Sequence, residues 1–296
     1  MSNYDDIFAG QSTDQRSREF IPFDKEAWAA QKQQERESAY QRIDDTVLQM
    51  AGNGELFRTF LDVQSRFDRY SVSNAVLITA QMPTATRLAD FDAWKSAGAY
   101  VKKGAVGISI LEPGNEYERD DGSTGVSYNL KKVFDISQTN SRKPAAPEKA
   151  TDMRETLKAL ISNAPCKIEI SSELTDGINA AYQPQSRTVF IRQGMDGSDI
   201  FRSLTQELAH AHMDKGGYNR KDCAFNAYCV AYMLCKRNGV AVDNFRFDRL
   251  PDRLRDMDAR GIRDELAKIR DVTNEISGDM ARALDRQREQ KNRDAR

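Results

Sequence analysis

Apolar residues recur at helical spacing along the first part of the chain, and the breaks between runs fall on residues that stop helices. Ile43, Val47 and Met50 share one stripe of a helix that Asp24 is placed to cap and that Gly52-Asn53-Gly54 ends. Leu56, Phe60, Val63 and Phe67 make the stripe of a second helix. A third is expected over residues 71–81, before Pro83 removes a backbone donor. A short helix over residues 90–97 presents Trp94. The period then falls to two. Val106-Gly-Ile108-Ser-Ile110 reads as one strand, and Gly125 to Tyr128 through Val133-Phe134-Asp135-Ile136 as strand again, with an acidic, glycine-containing hairpin loop at 114–122 between them.

Pro144 and Pro147, set among Ser, Lys and Ala, mark residues 141–150 as a linker. Beyond it a helix is expected over 152–163, strands over 167–170 and 187–191, a helix around Gln206, and another over 220–238 that Gly239 stops. Ile262, Leu266, Ile269, Ile276, Met280 and Leu284 then keep helical spacing into a charged tail. The fold class is therefore α+β. A flexible segment (1–23) leads into a domain of helices and strands (24–140). After the linker, a second domain packs helices on a small sheet (151–285), followed by the tail (286–296). No internal repeat is present.

Composition narrows the classes open to such a chain. Its 296 residues carry a net charge of -1, 30% charged and 39% hydrophobic side chains, with a pI near 6.2 and a mean hydropathy of -0.69. No apolar run approaches the roughly 20 residues that span a bilayer, and the first residues have no basic and apolar pattern of a secretory signal. A cytoplasmic protein without a membrane partner is expected. Near-neutral charge argues against coating duplex DNA by bulk charge, yet two stretches are locally basic: Lys95, Lys102 and Lys103, then Lys131, Lys132, Arg142 and Lys143 against Asp135. Of the four cysteines, Cys223, Cys229 and Cys235 recur every six residues, a step of about 240° on a helix that cannot gather them round a metal. The glycines from Gly98 to Gly107 lack the Gly-Lys-Ser/Thr ending of a phosphate-cradling loop.

The strongest chemical pattern is Phe201-Arg-Ser-Leu-Thr-Gln206-Glu207-Leu208-Ala209-His210-Ala-His212. It is a zinc-peptidase helix with Gln206 where the first metal-binding histidine belongs. In His-Glu-x-x-His the two imidazoles lie about 40° apart round the helix and face one ion, while the glutamate activates its water. His210 and His212 are the two histidines of the chain; residues two apart point to nearly opposite faces, so His212 is no substitute.

A second series is spread over residues 70–139: Tyr70-Ser-x-x-Asn74-Ala-x-Leu-Ile-x-x-Gln81-x-Pro83, Phe91-x-x-Trp94-x-x-x-Gly98-x-x-Val-Lys102-Lys103-Gly, Gly107-Ile-x-Ile-x-x-Pro113, and Val133-Phe134-Asp135-Ile-Ser-Gln138-Thr139. This order of blocks resembles the ArdC-like N-terminal domain of antirestriction and related proteins of conjugative plasmids and integrative elements. The resemblance implies binding of single-stranded DNA without sequence preference. The residues suit that independently: Tyr70, Trp94, Tyr100 and Phe134 supply flat faces for unpaired bases, and Lys102, Lys103, Lys131 and Lys132 a track for phosphates. Asn74 and Gln81, two helical turns apart, display their amides on one face.

The same resemblance implies a zincin-like second domain whose next helix carries a glutamate as third ligand. Ala224 and Tyr228 stand at the likely positions, so two of three ligands are missing. A catalytic zinc needs three protein ligands and an open site. The expectation is therefore no catalytic residue, no metal site and no cofactor, zinc included, with Gln206, Glu207 and His210 vestigial and hydrogen-bonded to one another and to Tyr228. The partners expected are single-stranded DNA and, beyond it, host restriction or conjugation proteins. Two alternatives stay open: a metallopeptidase with unconventional ligands, and a pure protein-interaction module.

Overall fold

The computed structural model describes residues 24–119, 121–141 and 152–294. The lead-in expected over 1–23 and all but the first residue of the expected linker lie outside them. The chain divides into two compact units, Met1–Glu35 and Arg36–Arg296, and the packing below is that of the second.

The helix starts fall on capping side chains. Helix α1 (Lys25–Gly52) begins where Asp24 accepts from the N–H groups of Glu26 and Ala27, each at 3.0 Å. Asn53, Ser71 and Asp90 cap α2 (Gly54–Arg66), α3 (Val72–Gln81) and α4 (Phe91–Ser96) in the same way. Strands β1 (Leu88–Ala89), β2 (Ile108–Glu118) and β3 (Thr124–Asp135) form an antiparallel sheet in the order β1-β3-β2. The hairpin is longer than its sequence suggests: Glu118 still pairs with Thr124, Pro113 still pairs with Tyr128, and the register shift between Pro113 and Glu116 sets Gly114 and Asn115 against Ser127. On an edge strand such as β2 a proline and a bulge are tolerated, because only one side carries a ladder.

In the second half, α5 (Met153–Ser162) precedes β4 (Lys167–Ser171), β5 (Ala180–Gln183) and β6 (Thr188–Arg192). Their order is β4-β6-β5, with β4 parallel and β5 antiparallel to β6. Then come α6 (Gly197–Met213), α7 (Arg220–Arg237) and α8 (Ala259–Asp294). The fold is α+β.

Buried side chains from Ala39 to Val133 and from Ala159 to Ala283 make one core. Helix α2 packs on α7 and α3 meets α8; the Phe57 ring lies 5.4 Å from Phe225 and 6.1 Å from Phe247. A Cβ on Gly54 would fall 1.6 Å from the carbonyl oxygen of Phe247, so only glycine lets α2 start this close to the second half. The buried Tyr232 hydroxyl donates to Asp62 at 2.8 Å and accepts from Arg58 Nε at 3.2 Å, which satisfies it at the same boundary. No helix among the described residues is long and apolar enough to cross a membrane.

Candidate functional site

Helix α6 buries Phe201, Leu204 and Leu208, and that registration carries Glu207 and His210 inward while Gln206 stays half-buried. The Glu207 carboxylate is 3% exposed. Arg220, the first residue of α7, clamps it with Nη1 at 2.8 Å from Oε2 and Nη2 at 2.6 Å from Oε1, and the Tyr182 N–H of β5 donates to Oε2 at 2.7 Å. A charge-assisted fork plus a backbone donor commits this carboxylate as an acceptor. His210 is 1% exposed, with Nδ1 2.9 Å from the Tyr218 hydroxyl; which atom donates depends on the tautomer. Tyr182 and Tyr218 meet edge to face at 6.0 Å, and the Tyr182 hydroxyl donates to Asp214 at 2.8 Å.

Burial pushes the His210 imidazole down to about 4, against the attraction of Glu207, and Arg220 adds to the fall. Burial also pushes the Tyr218 phenol up to about 12, and burial with Asp214 does the same to Tyr182. At neutral pH His210 is therefore a neutral ring beside two neutral phenols. A histidine whose folded pKa lies below its unfolded value of about 6.5 contributes no penalty above that value, and costs stability as pH falls from there towards 4. In urea titrations the loss over this window is expected to be about 2 kcal/mol smaller in His210→Gln than in the unaltered chain. Superimposable pH profiles would contradict the buried neutral ring.

The hydrogen bonds expected among Gln206, Glu207, His210 and Tyr228 are not the ones formed: Glu207 is bonded to Arg220 and Tyr182, and His210 to Tyr218. Tyr228 turns away: its hydroxyl accepts from the Arg246 N–H at 2.6 Å and its ring packs at 4.9 Å from Phe245. Arg220, Tyr218 and Tyr182 take the places foreseen for Gln206 and Tyr228. The sequence carried one signal for Arg220. Gly216 and Gly217, with φ of 98° and 65°, reverse the chain after α6 and return the start of α7 beside Glu207. His212 faces the other way, with Nδ1 3.4 Å from Glu275 of α8. Among the described residues no group of three or more His, Cys, Asp or Glu side chains is arranged to hold a metal ion.

In the first half the structure gives several expected contact residues inward tasks. Asn74 donates through Nδ2 to the Leu111 carbonyl at 2.8 Å and accepts the Leu111 N–H at 2.7 Å. Gln81 repeats the pattern on Ser109, donating and accepting at 2.9 Å. The two amides do share a helix face, but that face supplies the missing partner strand for the open edge of β2. Trp94 is 2% exposed and donates through Nε1 to the Phe134 carbonyl at 2.8 Å, so it has no free face for stacking. The half-buried Phe134 ring lies over Gly107, where a Cβ would come within 3.1 Å of it. Lys131 is paired with Asp90 and Glu112, and Lys132 donates to the Ser109 hydroxyl at 2.6 Å. Tyr70 is half-buried, edge-on to Phe67.

Lys102 and Lys103 are exposed, Lys102 donating through Nζ to the Ser137 carbonyl at 3.0 Å, and the block from Val133 to Thr139 explains their placement. Asp135 accepts from the N–H groups of Thr86, Arg87 and Ser137 and from the Ser137 hydroxyl. Burial opposes its charge, but Ser137 and these backbone donors hold its carboxyl below the usual range. Gln138 accepts the Asp135 N–H and donates to the Val106 carbonyl at 2.8 Å, while the Gln138 carbonyl accepts the Lys102 N–H at 2.9 Å. The block thus pins the turn that carries the two lysines. Next to them Tyr100 is 56% exposed, and Phe91, which opens the Trp94 block but is not among the contact residues expected from sequence, also offers an open ring.

Residues 37–156 match the family model of the N-terminal domain of anti-restriction factor ArdC. No curated protein matches the chain. Among solved structures, the Mn(II)-bound form of the antirestriction ArdC protein from the R388 plasmid is 18% identical, with a TM-score of 0.56, covering 82% of this chain and 98% of that one. The metal-free form of the same protein is 18% identical, with a TM-score of 0.49, covering 72% and 86%. The Mn(II)-bound neighbour overturns the expectation that cofactors can be set aside, because a protein of this fold holds a metal ion.

Proposed function

We infer, on the premise that this chain is an ArdC-like protein of the antirestriction class, that it binds single-stranded DNA without sequence preference as an accessory factor of a mobile element. The observation that carries this reading is the turn held by Asp135 and Gln138, which presents Lys102 and Lys103 beside the open ring of Tyr100. Single strands are held by stacking on flat side chains and by cations along the phosphates. Phe91 and Lys95 extend the same exposed segment. Trp94, Asn74 and Gln81 act beneath it, fixing the sheet that supports the turn, and Lys131 is screened by its carboxylates.

The second half contributes a non-catalytic module in this reading. Glu207 cannot serve as a base while the Arg220 fork and the Tyr182 N–H occupy both of its oxygens. The R388 protein's Mn(II) raises the question of an ion at this centre. Among the described residues the side chains present do not make a three-ligand site, and an ion brought to Glu207 has to compete with Arg220.

A Lys102→Ala/Lys103→Ala variant tests the interface by titration of a labelled single-stranded oligonucleotide across a salt series. Two lost phosphate contacts should make the slope of log K against log salt shallower by about 1.4 and lower the affinity about tenfold at low salt. An unchanged slope and affinity would remove this turn from the interface.

A further inference from the structure

A cavity of about 580 Å³ opens between the turn joining α2 to α3 and the middle of α8, lined by Arg69, Tyr70, Arg237, Arg270 and Ser277 and by a single acid, Asp68. Arg237 reaches it from the end of α7. Its guanidinium donates to the Ser65 carbonyl at 3.2 Å, the Ser277 hydroxyl at 3.0 Å and the Gln64 carbonyl at 3.5 Å, all neutral acceptors. Burial lowers its pKa, and the field of Asp68 only partly opposes this. A largely desolvated cation without a carboxylate contact is costly, and proteins ordinarily place an anion against one. Arg270, from α8, also lines the cavity. It is held by Asp271, which accepts from its Nε at 2.9 Å and its Nη2 at 2.6 Å. Arg69, a third lining residue, is exposed.

We propose that this cavity is an oxyanion site that takes a phosphate group between Arg69, Arg237 and Arg270. Guanidinium groups suit phosphate because their forked donors match its oxygens. With Asp68 and the Asp271 that pairs with Arg270, three arginines against two aspartates leave the site one cation in excess. The Tyr70 phenol, which burial keeps protonated, supplies a neutral donor in the lining. The proposal does not rest on the strand-binding turn, which uses none of these residues. The group has two possible sources, a small phosphate or nucleotide and the backbone of a bound strand.

Thermal unfolding of the full chain in low millimolar phosphate, against chloride at equal ionic strength, tests the site. Phosphate should raise the Tm by about 2 °C or more. The rise should persist in Lys102→Ala/Lys103→Ala and vanish in Arg69→Ala/Arg270→Ala, where two of the lining side chains are removed. A 5′-mononucleotide and a single-stranded oligonucleotide form the further arms. An arginine-dependent effect of the mononucleotide alone assigns a small-molecule site; one of the oligonucleotide also assigns the strand backbone. Equal Tm values in phosphate and chloride, or a full response in the arginine variant, would overturn the proposal.

Discussion

Asn74→Ala is expected to destabilise the chain by about 3 kcal/mol in urea denaturation. Asn74 lies on α3 with both amide atoms spent on the backbone of Leu111, and both residues are buried. Removing the amide leaves an N–H and a carbonyl of an edge strand without partner or water, at about 1–3 kcal/mol for each buried group. The void left by the side chain adds to that. Gln81→Ala should cost less, because Gln81 is half-buried and water can reach Ser109 in its place. A loss below about 1 kcal/mol for Asn74→Ala would show that β2 is not held in this way. The result also bears on function, since β2 and the turn before it are the platform from which Lys102 and Lys103 project.

Glu207→Ala is the second large effect, expected at about 2–3 kcal/mol. Three donors converge on this carboxylate, two from Arg220 and one from the Tyr182 backbone. Breaking a buried ion pair from one side commonly costs about 3–5 kcal/mol. The figure is reduced here because the Arg220 side chain is 46% exposed and regains water once released. Glu207→Gln keeps an acceptor for Tyr182 and should recover about half of the loss. If Glu207→Ala unfolds at the same urea concentration as the unaltered chain, the carboxylate is not a structural element, and the non-catalytic account of this centre loses its main support.

Much of the fold was legible because its periods are long and its caps are explicit. Asp24, Ser71 and Asp90 announce the starts of α1, α3 and α4, and each does cap its helix. β1 and β5 escaped notice because strands as short as Leu88–Ala89 and Ala180–Gln183 have no room for alternation; β6 and β3 define them by pairing. The hairpin was cut short at Pro113 and Gly114 because sequence alone does not reveal that β2 is an edge. The candidate sites were legible in position more than in partner. Asn74 and Gln81 share a face as their spacing requires, yet periodicity cannot say whether that face meets water or a strand edge. The loss of the first histidine at Gln206 was plain, whereas the guanidinium that answers Glu207 lies beyond a glycine turn. The cofactor expectation failed for a different reason: counting ligands in one chain carries no information about an ion held by another protein of the same fold.

A preference for single strands through a cationic, aromatic turn is tested by direct titration of matched single- and double-stranded oligonucleotides at two salt concentrations. Single strands should bind at least about tenfold more tightly at low salt, with a slope of about -0.7 per contacted phosphate as salt rises. Equal, weak binding to both forms at both salt concentrations would contradict it.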